Sequence, residues 1–542
     1  MAHWTEVYTI GDLLGRAVER APHDVALMFA GRATTFIELD ARAVDVARSL
    51  AALGVAKGDH VGILMPNCGV YVDALLGCAV LGAWAVPINS RYKARELAYV
   101  IENADLKVLI TTDLIDEHVD FVELLHEALP TLAAATDPLA LNLSDAPELR
   151  SVVVIGSKAR ASMLSESVFR AGRVAVSVDE IARRRARVAV RDVAIMMYTS
   201  GTTAMPKGCP LSHEALVRPA LEAGRTRFEL TSTDRMWDPL PMFHMSFVLP
   251  LLACLDAGAA IMAMERFEPG LALRYMSEDR ATHNFASFPT ITLALLNHPD
   301  FDQAKLHFRL INNVGPPALL RQIHAAMPFA KHISAYGLTE AGGVSCFSEP
   351  GDDAETRATT SGRPFNGVEI CVKHPDTNEH SNGGERGELC IRGYSLFDGY
   401  YKSPEKNLEA FDAEGWFHTG DLGSIDRNGR ISYLGRTKDM LKVGGENVAA
   451  VEIEGYLQTH EAVLLAQVVS APDDKYGEVA AAYVQLRNGA SVSEAELIQF
   501  CHGQIAGFKI PRYVRFVTEW PMSATKIQKY KLREEIAKEL AH

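Results

Sequence analysis

Metal-type cysteine spacing is missing from this sequence. Its eight cysteines, Cys68, Cys78, Cys209, Cys254, Cys346, Cys371, Cys390 and Cys501, lie far apart in 542 residues, with no CxxC pair and no Cys/His spacing of a zinc motif. A small disulfide scaffold is thereby excluded, and free thiols in a reducing compartment are expected. The opening MAHWTEVYTIGDLLGRAVERA has no basic segment followed by an apolar core, and no later apolar run reaches the roughly 18 residues of a membrane span. The closing KELAH does not match the peroxisomal SKL address. A cytoplasmic protein with neither leader nor transmembrane segment is the expectation. Excess positive charge is lacking too, since 54 Lys and Arg stand against 68 Asp and Glu, a formal charge of −14. Such a chain has no general attraction for a phosphate backbone, so no nucleic-acid partner is expected, although a local basic pocket can still hold a nucleotide.

What is present reads as a large α/β protein. The length exceeds one ordinary core and predicts a large body with at least one further domain. Short apolar runs, VGILM at 61–65, LKVLITTD at 106–113, SVVVIG at 151–156 and VAIMMY at 193–198, alternate with helical or glycine-rich stretches. That alternation favours α/β layers. Near residue 385 the texture changes. ERGELCIRGYSLFDGYY at 385–401 and GRISYLGR at 429–436 are β-prone runs broken by glycine. Beyond them, ENVAAVEIEGYLQTH at 446–460 places apolar residues on one helix face. AVLLAQVVSAPDD and EVAAAYVQL at 478–486 read as strands, and 493–506 as another helix. The division expected is 1–435 and 436–542, joined near 435–439 by a short hinge or an ordinary surface turn.

The chemistry concentrates in a few segments. In YTSGTTAMPKG at 198–208 a buried strand ends in hydroxyls, glycines and Lys207. Glycines admit close backbone approach, hydroxyls donate to phosphate oxygens, and a lysine offsets their charge. The spacing is not that of a Walker loop. It resembles the phosphate-binding signature of the adenylate-forming superfamily, which includes acyl-CoA synthetases, luciferases and peptide-synthetase adenylation domains. Ala204 stands where that family commonly has glycine.

Further segments recur in the family's order. PMFHMSF at 241–247 carries His244, which residue type alone would read as a core histidine; the resemblance places it beside the acyl group and adenylate. Amino-acid-activating relatives commonly carry an aspartate there to pair the substrate ammonium. A histidine supplies no such permanent charge, which favours a simple carboxylic acid. NNVGPPALL at 312–320 has Val314 where glycine is common, a change expected to touch the acyl pocket. AYGLTEAGG at 335–343 resembles the adenine and metal-approach segment. There Tyr336 and Gly337 meet the base, Thr339 donates to phosphate, and Glu340 helps hold Mg²⁺ with Thr199, although a lone glutamate is as often a surface acid.

In WFHTGDLG at 416–423 and YLGRTKDMLKVGGEN at 433–447, Asp421 resembles the carboxylate that binds both ribose hydroxyls, and Arg436 the arginine that contacts ribose and phosphate. The plainer alternatives are a turn cap for Asp421 and an interdomain ion pair for Arg436. Lys438 occupies the family's hinge position. Gly444, Gly445, Glu446 and Asn447 resemble the segment that approaches the adenylate and pantetheine; Asn447 is also a candidate helix cap. In PMSATKIQKYKL at 521–532, Lys526 falls on the lysine that bridges carboxylate and ATP, with Thr525 replacing a glycine; by position alone it is a surface lysine.

The resemblance implies a large multi-sheet N-terminal adenylate-forming body that binds ATP and a carboxylic acid, and a smaller mobile C-terminal α/β lid. It implies that an apolar acid, fatty, aromatic or alicyclic, reacts with ATP to acyl-AMP and then with CoA to acyl-CoA, with Mg²⁺ required. Lys526, His244, Thr199 and Lys207 are the catalytic candidates. Ser200, Gly201, Thr202 and Thr203 join the nucleotide contacts. Met242, Phe243, Met245, Phe247, Phe288 and Val314 are candidates for an apolar acyl wall, each with core filling as its plainer role. A homodimer is left open. An acyl-AMP ligase serving a carrier protein, a luciferase-like monooxygenase and a non-enzymatic nucleotide-binding scaffold are the competing readings.

Overall fold

The computed structural model describes residues 7–115, 118–199, 205–374, 377–381, 384–443, 446–473, 475–522 and 527–540, without the side chains of 438, 446 and 447. Two seven-stranded sheets form the body. One runs Lys331–Ile333, Leu310–Asn313, His283–Ser287, Arg235–Trp237, Ala260–Ala263, Val25–Phe29 and Arg32–Thr35, parallel except for the last pair. The other runs Leu164–Ser165, Ser151–Ile155, Leu106–Thr112, His60–Leu64, Trp84–Pro87, Val193–Thr199 and Lys207–Ser212, again with only the last pair antiparallel. Parallel strands covered on both faces need no polar side, which is why every residue of His60–Leu64 and of Ser151–Ile155 is buried.

Helices Phe36–Ala52, Gly69–Leu81 and Met245–Ala257 lie in the shared core with side chains from both sheets. Asn67, just past the strand His60–Leu64, ties the sheets together at their ends. Its amide donates to the Leu240 and Met264 carbonyls, each at 3.0 Å, and its carbonyl accepts from the Met242 N–H at 2.8 Å. A buried amide satisfied on both sides fixes the entry to the helix that begins at Met245.

Two smaller antiparallel sheets follow. One holds Ala335–Tyr336, Cys346–Phe347 and Arg363–Pro364; the other holds Val368–Lys373, Gly387–Gly393, Phe417–Ile425 and Ile431–Arg436. A single 3-10 turn, Thr437–Asp439, leads from Arg436 to Met440–Val443, the first strand of the C-terminal α/β domain. In that domain the sheet order is Glu446–Ala449, Met440–Val443, Gly477–Leu486 and Val463–Asp473, with Tyr513–Phe516 parallel to Gly477–Leu486. Leu441, Val468, Tyr483, Leu532 and Ile536 belong to its separate core.

Two expectations are corrected here. The segment 446–460 is not one helix, because Glu446–Ala449 pairs with Met440–Val443 as a strand and the helix is Ala450–Leu457. The N-cap position of that helix is Ala449, and the side chain of Asn447 lies outside the described residues. The helix expected over 493–506 is shorter, Glu494–Cys501, opened by a Ser493/Glu496 capping box. Among the described residues no helix is long and apolar enough to cross a membrane.

Helices Phe36–Ala52 and Gly69–Leu81 approach closely because residue 77 has no side chain. A Cβ there would lie 2.8 Å from Val46 Cβ and 3.1 Å from the Ala43 carbonyl oxygen. Gly77→Ala is therefore expected to cost about 1–3 kcal/mol through overpacking. A lower unfolding midpoint would show it, and an unchanged midpoint would mean that the helices separate freely.

Candidate active site

The strand Val193–Thr199 runs up the second sheet and returns as Lys207–Ser212, so Thr199 and Lys207 are register partners at the mouth of the intervening segment. Ser200, Gly201, Thr202, Thr203 and Ala204 lie outside the described residues. Burial pulls the Lys207 ammonium below the ordinary lysine range, with the Glu340 carboxylate opposing that shift. Its Nζ stands 3.9 Å from the centroid of the Tyr400 ring. The Tyr400 hydroxyl donates to Glu340 Oε1 at 2.8 Å. One aromatic ring thus spaces a cation from a carboxylate and contacts both.

Glu340 sits on the 3-10 turn Thr339–Ala341, together with half-buried Thr339. Its carbonyl accepts from the Phe397 N–H at 2.9 Å, and the Tyr401 N–H donates to the Gly208 carbonyl at 2.9 Å. The loop after Gly387–Gly393 is in this way stitched to both the phosphate-type segment and the Glu340 turn. The turn itself requires glycine. A Cβ at Gly337 would stand 2.4 Å from Val344 Cα, and one at Gly343, where φ is +93°, would stand 2.8 Å from Met245 Cβ.

Gly343 thus packs on Met245, the residue that follows His244. His244 is the N-cap of the helix Met245–Ala257, and its Nδ1 accepts from the Ser246 N–H at 3.2 Å. Met242, Phe243, Met245 and Phe247 are buried in the shared core, Phe288 packs half-buried against it, and Val314 is 37 % exposed just beyond the strand Leu310–Asn313. Core filling accounts for Met242 and Phe247, both 0 % exposed.

The second cluster centres on Asp421. This buried carboxylate receives the Tyr336 hydroxyl on Oδ2 at 2.9 Å, and its Oδ1 lies 3.0 Å from Arg436 Nε. Asp421 and Arg436 are also register partners on neighbouring strands. Tyr433 stacks on Tyr336, centroids 5.8 Å apart and planes at 24°. Burial acts to lower the Arg436 pKa, but Asp421, then Tyr433 and Glu340, outweigh it and hold the guanidinium above its ordinary value.

Lys438 lies in the Thr437–Asp439 turn, and Glu446 opens the strand that pairs with Val443. Gly444, Gly445 and Lys526 lie outside the described residues. Beside Lys526, Met522 bridges Ile527, and Lys529 at the start of the helix Lys529–Leu540 pairs with Glu454, whose Oε1 also accepts from the Val468 N–H at 2.7 Å.

Sequence reasoning missed Tyr400 and Tyr433. The aromatic pair closing SLFDGYY was the available signal for Tyr400, but it lay in a run taken as β-rich, whereas the strand ends at Gly393. The Glu340 carboxylate and the Thr199 hydroxyl are oxygen donors of the kind a hard cation takes, and half-burial at the rim leaves room for water and phosphate ligands.

Comparison with known proteins follows the same outline. The family model described as AMP-binding enzyme matches residues 14–401, and that described as AMP-binding enzyme C-terminal domain matches 452–526. The chain is 34% identical over 535 residues to a propanoyl:CoA ligase of Mycobacterium tuberculosis whose acid carries a methyl-dioxo-octahydroindenyl group, covering 98% of this chain and 99% of that protein. It is 32% identical over 544 residues to the human mitochondrial medium-chain acyl-CoA ligase, covering 98% and 88%. The crystal structure of an anthranilate CoA ligase in complex with anthranoyl-AMP superposes with a TM-score of 0.84 at 28% identity, over 99% of this chain and 98% of that one.

Tyr400→Phe keeps the ring against Lys207 and removes the donor to Glu340. It is expected to lower kcat/KM for ATP by about tenfold, and Tyr400→Leu by a few-fold more as the cation–π contact also goes. Pyrophosphate exchange measures both. Wild-type kinetics in Tyr400→Phe would show that the hydroxyl positions nothing.

Proposed function

The chain belongs to the AMP-binding enzyme family, and from that premise we propose that it is an acid:CoA ligase which activates an apolar carboxylic acid as its acyl adenylate and hands the acyl group to CoA. Adenylate-forming, ATP-dependent activation of a carboxylic acid is the chemistry the family carries. The transfer to CoA and the nature of the acid are the proposal. The adenylation half of the proposal is carried by two clusters of charge-bearing side chains, Lys207 with Tyr400 and Glu340, and Asp421 with Tyr336 and Arg436; transfer to CoA is supported by the likeness to CoA ligases.

A carboxylate is a poor acyl donor because its leaving group would be oxide; joining it to AMP supplies a better one. The first half-reaction brings two anions together, so the protein's task is positioning and charge stabilisation. In the proposal Asp421 accepts the ribose hydroxyls, Arg436 lies over ribose and phosphate, and Tyr336 with Gly337 borders the base. Lys207, Thr199 and the residues 200–203 meet the phosphates, with Thr339 donating beside them. No side-chain base is needed, since the acid is already ionised. Lys526, brought in by the C-terminal domain, bridges the acid and the α-phosphate. Glu340 and Thr199 would hold Mg²⁺, whose charge offsets that of the triphosphate.

For the second half-reaction the C-terminal domain, 436–542, turns on Lys438 against the body, 1–435, withdraws Lys526 and presents the segment from Gly444 to Asn447. The CoA thiolate then attacks the acyl carbon and AMP leaves. One lid serving two steps suits a cavity that must exchange its polar groups while the large core stays intact.

Two considerations bear on the acid. In the proposal His244, the N-cap of the helix Met245–Ala257, borders the acyl group, where a fixed negative charge would be needed for an ammonium. The similar proteins act, by their names, on a medium-chain acid, a bicyclic dioxo-indenyl propanoic acid and anthranilate. Delivery to a carrier protein uses the same first step and is the second reading.

The test is a panel of fatty, aromatic and alicyclic acids with ATP, Mg²⁺ and CoA, followed by mass spectrometry, each acid paired with its α-amino analogue. Acyl-CoA and AMP are expected from at least one apolar acid, and none from its amino analogue, because an ammonium buried opposite His244 has no counterion. Acyl-AMP without any CoA thioester across the panel would transfer the assignment to the carrier-protein ligases. Preference for the amino acid would overturn the pocket assignment.

A further inference from the structure

Behind the ribose-type strand lies a cluster that the adenylation chemistry does not use. On the four-stranded sheet Cys371, Cys390 and His418 form a row across three adjacent strands: Cys371 is the register partner of Cys390, and Cys390 of His418. Glu388, two residues before Cys390, shares its face of the sheet. Along Phe417–Ile425 burial alternates, with His418 half-buried and Asp421 buried, which puts the two on opposite faces of the sheet.

Three donors converge there. Cys390 Sγ lies 3.6 Å and Glu388 Oε2 2.9 Å from the same ring atom, His418 Nδ1, and one ligand atom from each residue lies within 4.8 Å of the others. A ring nitrogen serves one partner at a time through a single proton or lone pair, so two groups directed at Nδ1 compete. A metal ion would satisfy all three at once. With a Zn–S bond of about 2.3 Å and a Zn–N bond of about 2.0–2.1 Å, the sulfur–nitrogen edge of a tetrahedron is about 3.5 Å, close to the observed separation.

The far side of the imidazole is arranged as at a metal centre. His418 Nε2 lies 3.5 Å from Asp412 Oδ2. Asp412 is itself fixed by the Lys373 ammonium at 2.6 Å and by the N–H groups of Glu414 and Trp416. That carboxylate faces the second ring nitrogen without a hydrogen bond here, and closing the gap on metal binding would favour the tautomer that ligates through Nδ1. Glu388 Oε1 accepts from the Gly420 N–H at 2.8 Å, which holds the carboxylate in place. The side chains of His418 and Glu388 are 22 % and 16 % exposed, so an ion can enter from solvent.

We propose that Cys390, His418 and Glu388 form a transition-metal site, suited to Zn²⁺, on the sheet face opposite Asp421, with the fourth position opening toward half-buried Cys371. Thiol and imidazole donors select zinc-like ions over Mg²⁺, so this site is chemically separate from the Glu340 rim. On binding, the Cys390 thiol proton leaves to solvent and a Zn–S bond forms. The contact between His418 and Glu388 is replaced by a bond from each to the ion. The site lies across strands, which is why no zinc spacing shows in the sequence.

The experiment uses the full, tag-free chain stripped with chelator, equilibrated with Zn²⁺ or Co²⁺ and passed through gel filtration. About one zinc per chain should be retained, and the cobalt form should show tetrahedral ligand-field bands and a thiolate charge-transfer band. Cys390→Ser should lose both the metal and that band, and Glu388→Gln should weaken retention while keeping the thiolate band. Circular dichroism reports whether each variant is folded, and Glu388→Gln serves alone if Cys390→Ser is not. Zinc that washes out of the wild-type chain, a thiolate band undiminished in folded Cys390→Ser, or retention unaltered by Glu388→Gln would overturn the proposal.

Discussion

A buried carboxylate must be paired, and the pairing of Asp421 organises the rim. Its partners come from different parts of the chain, Tyr336 from the three-stranded sheet and Arg436 from the last strand of the four-stranded sheet, one residue before the turn into the C-terminal domain. Asp421 is buried, so losing the Arg436 contact would remove the cation nearest its charge, whereas Arg436, 39 % exposed, would keep its own access to water. Fixing Asp421 therefore fixes two sheets relative to each other and sets where the chain leaves the body.

The second cluster obeys the same economy of contacts. Lys207 and Glu340 are opposite charges, yet the structure interposes Tyr400 between them and does not close them into a direct ion pair. A closed pair would neutralise both groups; a lysine resting on an aromatic face keeps its charge available to phosphate, and a carboxylate holding a phenol keeps lone pairs available to a cation. The loop carrying Tyr400 is itself held by main-chain bonds to the Glu340 turn and to Gly208, so the spacing is set by backbone as well as by side chains.

Much of this was legible in the sequence, for a definite reason. The two large sheets are buried on both faces, so their strands stand out as apolar runs, and the groups proposed to meet nucleotide lie in contiguous segments with distinctive glycine and hydroxyl content. What was not legible depends on register and on distant partners. Tyr400 and Glu340 are sixty residues apart and meet only because a loop folds over a turn. The sequence Glu-Asn-Val-Ala at 446–449 is compatible with helix or strand, and only the neighbouring Met440–Val443 decides for strand. The Cys390 and His418 side chains are 28 residues apart in sequence and face each other because of a bulged ladder that no spacing rule describes.

The account stands most directly on where the ribose goes. Its measurement is a crystal structure of the chain with a hydrolysis-resistant acyl-adenylate analogue. Both ribose hydroxyls should donate to the Asp421 carboxylate, with Arg436 within hydrogen-bonding distance of the ribose or phosphate and the phosphate directed toward Lys207. A nucleotide bound away from this rim, or a ribose that makes no contact with Asp421, would contradict it.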